Sequence, residues 1–153
     1  MYKKILVPLD GSGFAECSLE HVKAVTSGSS ASKIILFSVV EPLSTETVYA
    51  LTIAGDDLLR KAEMDNQTEA RNYIGKVKNK LAKSGLKVET VVIDGRAAEE
   101  ILDYTKNNKV ELIIMTTHGK SGLRRAIMGS VADAVIRALG KPVLVVHLRK
   151  GKK

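Results

Sequence analysis

Glycine and hydroxyl residues gather at one place in this chain, Thr116-Thr117-His118-Gly119-Lys120-Ser121-Gly122, and again a short apolar and basic stretch later at Gly129-Ser130-Val131. They follow an apolar run, Val110 to Met115, that reads as a buried strand, and they precede a run of helical spacing. The chemistry served by such a pattern is the holding of an anion, phosphate above all. Glycine lets backbone N–H groups approach an oxyanion with no Cβ in the way, and a helix starting at Ser130 adds unpaired N–H groups and the positive end of its dipole. Two tight turns around a surface loop would also account for the glycines, so the rest of the chain has to decide.

Two phosphate motifs fail on a single residue each. Gly119-Lys120-Ser121 has the ending of a P-loop, but that motif needs a glycine five residues before the Gly-Lys pair, and Ile114 stands there. Gly11-Ser12-Gly13-Phe14-Ala15-Glu16 begins like a dinucleotide fingerprint, yet Glu16 occupies the third small position, where close helix–strand packing needs glycine or alanine. A nicotinamide enzyme is therefore disfavoured. Cys17 and His21 stand at i, i+4 and have the types of a nucleophile and base, or of two metal ligands, but nothing supplies a third member. A half-buried cysteine beside a surface histidine is the expectation. His147 has no histidine or cysteine near it in sequence, and His118 is read as bracing the glycine loop rather than moving protons.

Composition narrows the classes further. The 153 residues suffice for one domain with a real core. No apolar run approaches the roughly 20 residues that span a bilayer, and the N-terminus enters strand-like sequence at once. One cysteine excludes an internal disulfide framework. The expectation is a cytoplasmic protein with no membrane association. Of the net charge of +7, Arg149, Lys150, Lys152 and Lys153 supply four, so the basicity is concentrated in a tail, 149–153, that follows a domain of residues 1–148. With no tryptophan and 4% aromatic residues, the chain lacks the stacking platform that single-stranded nucleic acid needs.

The elements that must position the glycine loop follow from hydrophobic periodicity. Short apolar runs alternate with longer amphipathic ones, the pattern of βαβ units in a parallel sheet. Strands are expected at Ile5–Leu9, Ile34–Val40, Val88–Ile93, Leu112–Thr116 and Val143–His147. Helices are expected at Phe14–Val25, across Leu59, Ala62, Asn66, Ala70, Tyr73, Val77 and Leu81 up to Ser84-Gly85, at Ala97–Asn107 and at Ser130–Leu139. Between Glu41 and Gly55 no period is visible, and the segment reads as a lid or mobile connection. Five strands and four helices in this order fit a doubly wound sheet, whose ligands sit outside the carboxyl ends of the strands where the strand order reverses. With strand one central beside strand four, that crevice lies between Pro8-Leu9-Asp10-Gly11-Ser12 and Thr116 to Gly122. Pro8 suits the end of a central strand, where the backbone leaves the ladder.

At these positions the chain resembles the universal stress protein family. The resemblance runs from Lys4-Ile5-Leu6-Val7-Pro8-Leu9-Asp10-Gly11-Ser12 through Phe37-Ser38-Val39-Val40-Glu41, Gly95-Arg96-Ala97-Ala98-Glu99-Glu100-Ile101 and Thr117-His118-Gly119 to Lys141-Pro142-Val143-Leu144-Val145-Val146. ATP-binding members carry a glycine, two residues, a second glycine, nine residues, then glycine with serine or threonine. Gly119, the nine residues Lys120 to Met128, and Gly129-Ser130 match that spacing, while Thr116 replaces the first glycine. The resemblance implies a flavodoxin-like, doubly wound five-stranded parallel sheet in the order 3-2-1-4-5, of the adenine nucleotide alpha-hydrolase-like kind. It implies an ATP-binding switch or sensor in stress response rather than an enzyme, with at most slow ATP hydrolysis; the alternative is a dimeric interaction module of the same fold that binds no nucleotide.

Carried onto this sequence, the resemblance implies that Pro8, Leu9 and Asp10 line the nucleoside side and that Val39 meets adenine through its backbone. Thr116, Thr117, His118, Gly119, Lys120, Ser121 and Gly122 would wrap ribose and phosphates. Gly129, Ser130, Val131 and Ala132 would offer N–H groups and a hydroxyl to the phosphate chain. Asp10 has two readings, a ligand of phosphate-bound Mg2+ or a cap for the turn that follows it. Lys120 and Arg124 would neutralise phosphates. A homodimer is expected through the last strand, Val143–His147, whose uncharged run would otherwise be an edge left in water.

Overall fold

A computed structural model describes residues 1–28, 32–117 and 128–147. The elements in chain order are β1 (Lys4–Pro8), α1 (Gly13–Glu16), α2 (Ser18–Thr26), β2 (Lys33–Val40), α3 (Thr45–Ala54), α4 (Asp56–Ala82), β3 (Lys87–Asp94), α5 (Ala97–Asn107), β4 (Leu112–Thr116), α6 (Ser130–Ala138) and β5 (Val143–Val146). All four strand pairings are parallel, and the sheet order is β3-β2-β1-β4-β5. This is the flavodoxin-like doubly wound arrangement, with the order reversing between β1 and β4.

Side chains alternate across each strand, so each strand feeds two cores. Ile5, Val7 and Leu9 point to one face, where they meet Ile34, Leu36, Leu112 and Ile114 beneath Leu19 and Val22 of α2 and Ile74, Val77 and Leu81 of α4. Leu6, Ile35, Phe37, Ile113 and Met115 point to the other, under Ile101 of α5 and Ala132 and Val135 of α6. Burial on both faces explains why β1, β2 and β4 read as continuous apolar runs rather than alternating ones. Pro8 closes β1, and the chain leaves the ladder with the Leu9 amide donating to the Phe37 carbonyl at 2.8 Å.

Two expectations need correction. The first helix is two: Ser18 Oγ donates to the Ala15 carbonyl at 2.7 Å, and the chain breaks at Cys17 into α1 and α2. The segment 41–55 is not an irregular lid, since α3 fills most of it. Ser44 caps that helix by accepting from the Thr47 amide at 3.2 Å. No amphipathic period announces α3, because it is apolar on all sides and buries no residue of its own. Its β-branched content (Thr45, Thr47, Val48, Thr52, Ile53) also hides a helix that the cap and the packing on α4 stabilise. The α4 expectation holds in its face, with Tyr73, Val77 and Leu81 turned inward, and the helix ends just short of Gly85 (φ +75°). No helix among the described residues is long and apolar enough to cross a membrane.

Candidate functional site

The carboxyl ends of β1, β2 and β4 open onto a cleft of about 390 Å³. Its floor is apolar, made by Leu9, Phe37, Ile101 and Met115, all buried. Its walls bring together Pro8 and Asp10 after β1, Val39 at the end of β2, Thr116 and Thr117 at the end of β4, and Gly129, Ser130, Val131 and Ala132 at the start of α6. Ten residues singled out from sequence thus share one cavity, although they come from four separate stretches of chain. His118, Gly119, Lys120, Ser121 and Gly122, like Arg124, lie outside the described residues.

The start of α6 is the polar end of the cleft. Its first intrahelical bond runs from the Asp133 amide to the Gly129 carbonyl at 2.9 Å, so the amides of Ser130, Val131 and Ala132 have no partner within the helix. Gly129 holds the N-cap position and offers no side-chain cap. Its φ of −61° is open to any residue, so no backbone strain calls for glycine here; what glycine contributes is the absence of a side chain of its own beside three amides and the positive end of the helix dipole. An anion in the cleft would meet donors there.

Asp10 faces the same space from β1. Its Oδ1 accepts from the Ser12 amide at 2.9 Å and the Ser12 hydroxyl at 2.6 Å, while Ser12 Oγ accepts in turn from the Ala15 amide at 3.1 Å. Capping the turn is therefore one role it performs, and Gly11, at φ +84°, supplies the left-handed step the turn requires. Behind it, the Tyr73 hydroxyl is buried without a hydrogen bond of good geometry. Burial first, then the carboxylates of Glu16 and Asp10, hold its ionisation well above the ordinary tyrosine range. Among the described residues no cluster of three or more His, Cys, Asp or Glu could hold a metal alone.

Six residues of the cleft carried no site expectation: Ala15, Phe37, Glu41, Ala97, Ile101 and Met115. In sequence Phe37 and Met115 read as strand, Ala15, Ala97 and Ile101 as helix, and Glu41 as the start of the connection after the second strand. Glu41 Oε1 accepts from the Ala97 amide at 3.3 Å, capping α5 from another element and joining the β2 and β3 turns. The available signal was topological: every turn after a strand in a parallel sheet opens on the same edge, so Gly95-Arg96-Ala97 had to arrive on the same edge as Pro8 and Gly129. Cys17 and His21 are both exposed on the surface, the cysteine more so than expected, with its Sγ 3.5 Å from the Gly13 carbonyl. His147 lies beyond β5 with Nδ1 at 3.4 Å from the Thr117 hydroxyl.

Comparison with known proteins agrees with this architecture. The universal stress protein family model matches residues 1–147. Universal stress protein MJ0577 of Methanocaldococcus jannaschii is 36% identical over 155 residues, 95% of each chain, and YxiE of Bacillus subtilis is 28% identical over 96% of this chain and all of its own. The solved structure of MJ0577 superposes with a TM-score of 0.77 over 99% of both chains at 34% identity. A family protein from Arabidopsis thaliana with AMP bound gives 0.69 over 96% of this chain and 92% of its own at 17% identity. With the match spanning the whole described sheet and every element around the cleft, this chain belongs to the universal stress protein family.

Proposed function

We propose that the cleft binds ATP, accompanied by Mg2+, and that the protein works as a nucleotide-dependent switch or sensor. The observation that carries this reading is the open N-terminus of α6, three amides behind a side-chain-free Gly129, set at one end of an apolar cleft. The chain's residues divide the ligand by chemistry. Val39, Leu9, Phe37 and Ile101 give a base a dry surface, Pro8 and Thr116 flank the sugar, and Ser130, Val131 and Ala132 donate to phosphate. Asp10 stands where a carboxylate would meet a phosphate-bound cation. Proteins of the same fold whose structures hold AMP and cAMP make adenine nucleotides the class to test first.

Binding, rather than turnover, is the proposed act. Occupancy would favour one arrangement of the α6 turn and of the Glu41–Ala97 contact, and so alter the surface offered to a partner. A homodimer through β5 and a cytoplasmic setting complete the proposal. Thr116 favours a second reading, a dimeric interaction module without nucleotide. It is buried in the cleft wall where the ATP-binding pattern has glycine, and its branched Cβ takes space from a sugar.

The two readings separate in one experiment: gentle purification, denaturation and mass analysis of what is released. An adenine nucleotide near one equivalent supports the switch. A protein that comes out empty and shows no thermal stabilisation by millimolar ATP supports the interaction module.

A further inference from the structure

The helix α3 has no buried residue, although it is mostly apolar, and α4 is its packing partner. Tyr49 and Ile53, one turn apart on the same side, are each 70% exposed. Leu58 and Met64 on the adjoining part of α4 are also in water, so four of the nine large exposed apolar residues described lie within one short stretch. Scattered apolar residues need no explanation, but a helix left apolar and uncovered beside more of the same marks a docking surface.

Its charge frame selects the occupant. The chain as a whole is basic, at +7, yet residues 45–65 carry five carboxylates, Glu46, Asp56, Asp57, Glu63 and Asp65, against the two cations Arg60 and Lys61. All five acids are exposed. A second copy docking by two-fold symmetry would set this acidic patch against itself, and anionic lipid would meet the same repulsion. The outer groups of α3 are side chains, with its backbone bonds spent within the helix, so strand addition is excluded and side-chain packing remains.

We propose that α3 and the first turns of α4 dock a basic amphipathic helix of another protein. Its apolar stripe would cover Tyr49 and Ile53, and its cations would face Glu46, Asp56 and Asp57. The inference stands on this surface alone and does not depend on whether the cleft holds nucleotide.

The probe is a synthetic Lys/Leu amphipathic peptide of about 18 residues, long enough to hold a helix, carrying one tryptophan. Because the protein has no tryptophan, the peptide's emission reports binding without background. The expected result is a blue shift that saturates, weakens at least tenfold between about 50 and 300 mM salt, and is absent for a Glu/Leu peptide of the same pattern. Tyr49→Ser with Ile53→Ser should weaken binding about tenfold or more. Asp56→Lys with Asp57→Lys keeps the apolar pair, should weaken the basic peptide similarly and should admit the acidic one; it decides the matter if the serine variant does not fold. Equal binding by wild type and both variants, or equal uptake of both peptides by wild type, overturns the proposal. So does a fall in solution mass of the folded serine variant, which would make the occupant a second copy, or co-sedimentation of the wild type, but not of the serine variant, with phosphatidylglycerol vesicles in the absence of peptide, which would make it a membrane.

Discussion

The Gly129 amide donates to the Thr117 carbonyl at 2.6 Å, and the Thr117 amide donates to the Val146 carbonyl at 3.1 Å. The first contact fixes the start of α6 to the end of β4, and the second ties both to β5. The donors at one end of the cleft and the strand at the sheet edge are therefore parts of one hydrogen-bonded unit.

Millimolar ATP with Mg2+ should raise the melting temperature. A ligand present at a hundred times its Kd stabilises the native state by about 2.7 kcal/mol, or about 5–10 °C for a domain of this size. Gly129→Val should abolish the shift by filling the space before the three amides, while the apo protein melts as before, since φ −61° and ψ 151° suit valine. Normal binding by Gly129→Val would place the phosphate site elsewhere.

Gly95 is held at φ +148°, donates its amide to the Val40 carbonyl at 3.1 Å, and would place an added Cβ 2.5 Å from Glu100 Oε1. Gly95→Ala should therefore cost about 1–3 kcal/mol, chiefly from the backbone conformation, because Glu100 can swing aside. Thermal denaturation should show a fall of about 3–10 °C. An unchanged melting temperature would mean that the turn relaxes freely.

Tyr73 gives the protein an alkaline weakness. Its ionisation is raised in the folded state by burial and by Glu16 and Asp10, so the folded chain holds the phenolic proton more tightly than the unfolded chain does. That stability is fully present below about pH 10, the unfolded value, and drains away as pH climbs above it. Urea denaturation between pH 9 and 11 should show the decline, and Tyr73→Phe should flatten it. An identical slope in the variant would assign the decline to other groups.

At the sheet edge, β5 pairs with β4 on one side and with no other strand among the described residues. Leu144 and Val146 join one core and Val143 the other, while Val145 joins neither. Val145→Lys should accordingly leave the fold intact and convert the proposed homodimer to a monomer by light scattering. A wild type already monomeric at high micromolar concentration would dispose of the dimer. The strand itself is shorter than the expected run Val143–His147, because β5 ends at Val146.

The amino-acid order alone fitted the strands and helices to a doubly wound sheet, and the resemblance to the family supplied the strand order. Continuous apolar runs at Ile34–Val40 and Leu112–Thr116, short and alternating with longer amphipathic ones, read as strands covered on both faces, and the helical spacing around Tyr73, Val77 and Leu81 has one inward side. Once the strand order places β1 beside β4, Pro8, Asp10, Thr116 and Gly129 must meet, because parallel strands all deliver their turns to one edge. Local pattern carries that much because it is the pattern of burial.

Tertiary structure decided what has no local period. The helix α3 exists because Ser44 caps it and α4 supports it, and neither contact leaves a hydrophobic rhythm within 45–54. Glu41, next after β2 at the cleft, bonds there to the amide of Ala97, a residue far along the chain. Ala15, Phe37, Ile101 and Met115 look like core in sequence, and they are core; they also floor the cleft, because a sheet's interior reaches the surface where its strands end. Which buried residues lie at that end depends on strand register, and register is set by pairing between segments rather than by any one of them.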